Sequence, residues 1–482
     1  MRIVITGATG FVGRTLTHRL LRDRHEIVVL SRSPSRVKTR LGPEVSAFNI
    51  SRQEEIDAAM ESSDAVINLA GAPIAKRWTK KHRERLRTSR IDLTRKLVEG
   101  ISRAQRKPSI LISASAVGFY GDRNSEELSE DSAPGNGYLS SLCQQWEDAA
   151  EQANVHGVRV VRARIGLVLG RGGILEKLSP LARLGLAGRI GSGKQYMPWI
   201  HINDLVEMLT YLLDNKTISG AINCTAPTPV QQKLFAAELG KALGKPSQIP
   251  APRFAFKILM GQASQIVLTG QRAIPKAVEA HGFAFQFEDI GEALNDIVAL
   301  ETNCRIGLSR NPPQTKYLRN RPSRYQLDYS QTVDAPLEEV FAFFARAENL
   351  GAITPDSLEF NFAKPAPKDM GEGVEIEHRI KIGPIPMRWL TVIEVWAENR
   401  EFVDAQHKGP YRAWYHHHKF HSSEGQTQIE DTVYYKPPLG FLGWIANWLF
   451  IRSMLRDVFA YRAQVIRQRF PERSKTIRKS AS

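Results

Sequence analysis

At 482 residues the chain exceeds what one ordinary hydrophobic core fills, and about two or three domains are expected. A hydrophobic share of 42%, a charged share of 24%, and 35 Gly with 26 Pro exclude a largely disordered, collagen-like or coiled-coil chain. Lys and Arg (66) outnumber Asp and Glu (50) for a net charge of +16, but the excess is spread along the chain. Its densest runs, KRWTKKHRERLRTSR at 76–90 and RSKTIRKS at 473–480, carry no aromatic repeat of a nucleic-acid module, so a solvated basic face is expected rather than a nucleic-acid partner.

Cys143, Cys224 and Cys304 stand far apart with no CxxC pair, which argues against a disulfide framework or a zinc site. The chain opens on RIVITG without the basic, apolar and cleavage regions of a secretory leader, and a cytoplasmic location is expected. The longest apolar stretch, LGFLGWIANWLFI at 439–451, falls short of the roughly 20 residues of a membrane span. Its Trp-rich, amphipathic character suits weak contact with a membrane surface instead.

In chain order, RIVIT, the helical GRTLTHRLLRD, EIVVL, a helix near QEEIDAAM and DAVINLA alternate strand with helix. IDLTRKLVEGISRA, SILISAS, YLSSLCQQWEDAAEQA and VRVVRARI continue the alternation, which predicts βαβ units and a doubly wound parallel sheet over residues 1–302. Residues 303–324 have no apolar period and are rich in Pro, Asn and Arg, so they are expected to form a linker. From 325 to 470 the order becomes strand, helix, several strands and a long helix, an α+β pattern, and 471–482 form a basic tail.

Directly after the first strand come Gly7, Ala8, Thr9, Gly10, Phe11, Val12 and Gly13, then a helix. In a dinucleotide site the first glycine makes the tight turn, the second admits the pyrophosphate to the backbone, and the third lets helix and strand approach. The second strand ends at Ser31 and Arg32, with Arg36 following, where an NAD-binding chain usually has an acid for the ribose 2′-hydroxyl. A guanidinium suits a 2′-phosphate, so NADP(H) is the expected cofactor. Leu69, Ala70 and Gly71, after the strand ending at Asn68, would let the backbone run beside it.

These residues resemble the extended short-chain dehydrogenase/reductase superfamily, and more narrowly its epimerase-like branch, with a Rossmann-type fold. The resemblance runs through GATGFVG, NLAGAPIAKRWTKKHRERLRTSRIDLTRKLV, SASAVGFYGD, WEDAA, RIGLVLGRGGIL, GSGKQYMPWIHINDLV, NCTAPTPV and GQRAIPKAVEAHGFAF. It implies a catalytic Ser115, with Ser113 as the neighbouring alternative, and Tyr138 as acid/base. The superfamily's lysine, four residues after the tyrosine, is here Leu142. Arg90 and Arg164 are the candidate cations beside the cofactor. GRIGSGKQ at 188–195 lacks the Ser or Thr and the buried strand of a P-loop, and Asn203 is expected to cap the helix DLVEMLTYLL, leaving His201 without an assigned role.

Residues 325–470 resemble the START-like (SRPBCC) helix-grip superfamily through VDAPLEEVFAFFARAENLGAITP, GPIPMRWLTVIEVW, FVDAQHKGPYRAWYHHHKF and DTVYYKPPLG. The resemblance implies a curved antiparallel sheet around a C-terminal helix, with an apolar-ligand cavity that Trp389, Trp396, Trp414 and Tyr411 would line. On a strand His416 and His418 share a face and His417 does not; no acid stands near them in the chain, so no metal site is expected. The resulting expectation is an NADP(H)-dependent oxidoreductase or epimerase acting on a small molecule, fused to an apolar-ligand domain. The alternative is a non-catalytic NADP(H)-binding sensor or lipid-binding scaffold.

Overall fold

The computed structural model describes residues 1–247, 249–382 and 385–470, so the basic tail lies outside the described residues. The chain divides into two compact units, residues 1–38 with 44–298, and residues 39–43 with 299 onward.

The first unit is built on a seven-stranded sheet. Its strands are β1 (Arg2–Thr6), β2 (Glu26–Ser31), β3 (Ser46–Asn49), β4 (Ala65–Asn68), β5 (Ile110–Ala116), β6 (Arg159–Ile165) and β7 (Gly220–Cys224), in the order β7-β6-β5-β4-β1-β2-β3. Every pairing is parallel. Burial on both faces explains the unbroken apolar runs IVI in β1 and IVVL in β2. The helices that bear on the site are α1 (Phe11–Arg22), α2 (Gln53–Met60), α3 (Lys80–Arg87), α4 (Leu93–Arg103), α5 (Tyr138–Glu151) and α6 (Ile202–Asp214). One core cluster joins Val4, Val28 and Val66 of the sheet to Ile56 of α2 and Leu97 and Ile101 of α4. The strand order reverses between β1 and β4, and a doubly wound sheet offers its binding crevice at that switch point.

The second unit carries an eight-stranded antiparallel sheet. Its strands are β8 (Arg305–Leu308), β9 (Tyr325–Val333), β10 (Asn361–Phe362), β11 (Glu375–Ile382), β12 (Ile385–Ala397), β13 (Glu401–Lys408), β14 (Ala413–Ser423) and β15 (Gln426–Lys436), in the order β8-β9-β15-β14-β13-β12-β11-β10. Helices α7 (Leu337–Phe344), α8 (Gly440–Ala446) and α9 (Arg452–Arg469) accompany it. On α9, Leu455, Phe459, Ala463 and Ile466 repeat at helical spacing and are buried against sheet residues such as Tyr329, Val433 and Phe420.

The segment 303–324 is not a linker. Arg305–Leu308 is an edge strand in register with β9, Leu308 opposite Tyr325, and Thr315 caps a short helix, Lys316–Asn320, that buries Tyr317 and Leu318. The Tyr317 hydroxyl donates to the Gln406 carbonyl at 2.7 Å. An edge strand pairs on one side only and needs no apolar period, which is why composition concealed it. Among the described residues no helix is long and apolar enough to cross a membrane.

Candidate functional site

The turn between β1 and α1 has the geometry its glycines imply. Gly7 adopts φ +73°, and a Cβ there would stand 2.8 Å from the Leu69 carbonyl carbon on the neighbouring strand end. A Cβ on Gly13 would stand 2.2 Å from the Gly7 oxygen, so only glycine lets α1 start this close to the sheet. Gly10 caps α1 without any side-chain hydrogen bond, and the first N–H groups of the helix, with Thr9, Phe11 and Val12 around them, open toward the sheet end. The ring of Phe11 occupies the space where Cβ atoms on Gly170 and Gly172 would lie, which explains glycine in the LGRGG segment.

A buried polar network ties the strand ends together. Thr6 Oγ1 donates to Asn68 Oδ1 at 2.7 Å, and Asn68 Nδ2 donates to Thr94 Oγ1 at 2.9 Å and Ser113 Oγ at 3.3 Å. Trp146 Nε1 reaches Thr94 Oγ1 at 3.0 Å, and the Ala70 N–H donates to Thr6 Oγ1 at 3.2 Å. The network fixes the backbone course through Leu69, Ala70 and Gly71 beside the Gly7 turn. Thr6 and Thr94 escaped the sequence reading because isolated threonines in apolar segments carry no motif.

At the end of β2, Ser31 Oγ accepts from the Ser33 N–H at 3.2 Å, while Arg32 and Arg36 are exposed. Neither arginine has an ion pair among the described residues. Arg90 is half-buried; its Nη2 donates to the Ala72 carbonyl at 3.0 Å and its guanidinium lies 5.2 Å from the centre of the Trp146 ring. It stands 3.0 Å from where a Gly71 Cβ would be, and among the described residues no carboxylate pairs with it. Burial holds the Arg90 guanidinium below its ordinary value.

Arg164 is different. Its Nε and Nη2 donate to the two oxygens of Glu147, each at 2.9 Å, and Nη1 donates to the Tyr120 hydroxyl at 2.9 Å and the Glu130 carbonyl at 3.1 Å. Its plane lies 3.5 Å from the centre of Phe119. Burial acts to lower its pKa, yet the Glu147 carboxylate leaves it raised. Arg164, expected beside the cofactor, is thus buried and held by Glu147, Tyr120 and the Glu130 carbonyl. The signal was Glu147, an acid one turn after Cys143 on the apolar stripe of α5.

Ser115 Oγ donates to Glu147 Oε1 at 2.6 Å and belongs to this same buried cluster. Tyr138, the first residue of α5, packs against Trp78 at 5.0 Å, and its hydroxyl reaches the Arg83 carbonyl at 3.4 Å. Burial pushes its phenol above the ordinary value, opposed by the guanidinium groups of Arg83 and Arg90. The two hydroxyls expected to work together thus have separate partners. Leu142 is buried among Trp78, Leu86 and Trp146. The cap of α6 is His201 rather than Asn203: the helix begins two residues earlier, and His201 Nδ1 accepts from the Asn203 N–H at 3.2 Å.

The sequence profile of the NAD dependent epimerase/dehydratase family matches residues 3–224, and that of a domain of unknown function (DUF1731) matches residues 251–297, also in the first unit. An Arabidopsis thaliana protein, "Epimerase family protein SDR39U1 homolog, chloroplastic", is 39% identical over 302 residues, covering 62% of this chain and 87% of its own length. The chain belongs to the epimerase family. "Epimerase family protein YfhF" of Bacillus subtilis is 35% identical over 300 residues, covering 62% of this chain and 98% of its own. The human epimerase family protein SDR39U1, solved with NADPH, superposes with a TM-score of 0.56 at 34% identity, over 62% of this chain and 99% of the human one.

In the second unit a cavity of about 190 Å³ lies between the sheet and α9. Trp389, Trp414 and Tyr411 line it, as expected, whereas Trp396 packs instead against Phe341 and Phe402.

Proposed function

We propose that the first unit binds NADP(H) and acts as an oxidoreductase or epimerase on a small molecule. The observation that carries this reading is the pairing of the strained Gly7 turn with Arg32, a guanidinium without an ion-pair partner among the described residues at the end of β2, where an acid would repel a 2′-phosphate. The human relative solved with NADPH supports it. Gly7, Thr9, Gly10, Phe11, Val12 and Gly13 would hold the pyrophosphate, Ser31, Arg32 and Arg36 the adenosine phosphate, and Leu69, Ala70, Gly71 and Arg90 the remaining length. The cofactor supplies hydride; Tyr138, flanked by Arg83 and Arg90, is the candidate proton donor, with Ser115 behind it in the Glu147 cluster.

A second reading, an NADP(H)-binding protein without turnover, is favoured by Leu142, which offers Tyr138 no ammonium group, and by the separate partners of Ser115 and Tyr138. One experiment divides them. Protein is incubated with NADPH deuterated at C4 and a metabolite extract, and small molecules are examined for deuterium. Label that appears with the wild type and is lost in Tyr138→Phe, with NADPH binding retained, supports the catalytic reading; NADPH binding with neither label nor NADP⁺-dependent isomerisation of any component of the extract supports the second.

The second unit is read as a START-like helix-grip domain that takes an apolar ligand. A volume of about 190 Å³ is near the roughly 150 Å³ of a cavity that admits benzene, so the ligand is a compact ring or short chain rather than a whole lipid.

A further inference from the structure

His416 and His418 sit in a setting that the ligand reading leaves unexplained. Both point into the unit and are buried, while His417 points outward and pairs with Glu401 at 2.7 Å. The ladder register sets Asp404 of β13 opposite His416, and Asp431 of β15 opposite His418. One nitrogen of each ring faces Asp404 Oδ2: His418 Nε2 at 2.9 Å and His416 Nδ1 at 3.5 Å. The other nitrogens, His416 Nε2 and His418 Nδ1, stand 3.0 and 2.6 Å from Asp431 Oδ1. Arg462 of α9 lies 3.4 Å from the same oxygen. Asp404, His416, His418 and Arg462 all line the cavity, whose other walls are mostly Phe, Ile, Leu and Trp, with Arg346, His378 and Thr391 among them.

Two carboxylates and two imidazoles converge beside the Arg462 guanidinium, a donor set able to hold a cation. Two of the three ligand separations match a metal site, and all three ligand atoms lie within 4.8 Å of one another. Ligand atoms bound at about 2.0–2.2 Å to a first-row dication stand roughly 3 to 3.5 Å apart, and the two separations onto Asp404 are 2.9 and 3.5 Å. The second ring nitrogen of a metal-bound histidine usually meets a carboxylate, which is the place Asp431 takes for both rings.

We propose that Asp404, His416 and His418 bind a divalent transition-metal ion of the zinc or ferrous-iron class, with Asp431 orienting both imidazoles and the remaining coordination positions facing the apolar cavity. Two histidines and one carboxylate on one side of the ion leave room for a ligand oxygen on the other. Binding needs the lone pairs of His418 Nε2 and His416 Nδ1, so each neutral imidazole carries its one proton on the nitrogen that faces Asp431. The site lies wholly in the second unit and is independent of the dinucleotide reading.

The test uses the untagged full-length protein, stripped with a chelator and titrated with Co²⁺ alone. One equivalent should bind with visible d–d absorption that Zn²⁺ displaces. Asp404→Asn, nearly isosteric, and the double variant His416→Ala/His418→Ala should lose the bands. Asp431→Asn should weaken binding by about 10- to 100-fold, and His417→Ala should leave it unchanged. Near-UV circular dichroism establishes that each variant is folded, and Asp404→Asn decides the matter if the histidine variants are not. The proposal is overturned if stripped wild type takes up no more cobalt than Asp404→Asn, or if the bands persist in Asp404→Asn and the histidine variant alike.

Discussion

Arg164 and Arg90 show how one residue type acquires two roles from its surroundings. Arg164 is saturated by Glu147, Tyr120 and the Glu130 carbonyl, and both partners of the ion pair are 3% exposed. Removing one charge from such a pair leaves the other buried alone, so Glu147→Ala should cost about 3–5 kcal/mol in urea unfolding. Arg90 has no acidic partner among the described residues, and its Nη2 donates to the Ala72 carbonyl instead. Arg32, at the β2 end, is the specificity determinant in the proposed site. Arg32→Asp should weaken NADPH by about 1.5–3 kcal/mol, the range for hydrogen bonds to charged groups, in a fluorescence titration. Wild-type protein that bound NADH and NADPH equally would sink this assignment.

At the scale of the element, α5 carries both the candidate Tyr138 and the residue that departs from the superfamily's pattern. Leu142 lies one turn further along, packed with Trp78, Leu86 and Trp146. Restoring a lysine there would bury an ammonium group in that cluster, against which Tyr138 also packs. Because burial favours the neutral amine, Leu142→Lys should lower stability by upwards of about 3 kcal/mol at neutral pH and give no gain in turnover. Chemical denaturation with a parallel deuteride assay checks both parts; a stable, more active variant would show that α5 can turn its side chain toward the site.

For the whole molecule, the run from α8 into α9 is unusual. Phe441 is 71% and Trp448 70% exposed, with Leu439, Leu442, Leu449 and Phe450 exposed beside them. A cluster of large apolar side chains in water marks an interaction surface, and tryptophan with nearby arginine suits a membrane interface. The full chain should co-sediment with anionic phospholipid vesicles and show a blue shift in tryptophan emission. Replacing Trp444 and Trp448 by Ser should abolish both. Protein that stays in the supernatant at low salt would assign the surface to another protein instead.

The sequence by itself determined what depends on local chemistry. The Gly7 to Gly13 turn, the β–α alternation through β6, and the change of pattern near 325 were legible because backbone conformation and one-dimensional burial periods are written in neighbouring residues. That His416 and His418 share one face followed from strand alternation alone, and the packing of the second unit made that face the buried one. Tertiary structure decided who their partners are. Asp431 is 15 residues from His416, Glu147 17 from Arg164 and Asn68 62 from Thr6, and each meeting depends on strand register or helix docking that no local period encodes. For the same reason a strand at 305–308 stayed hidden in Pro- and Arg-rich sequence: its pairing with β9 comes from backbone hydrogen bonds, which every residue but proline can make.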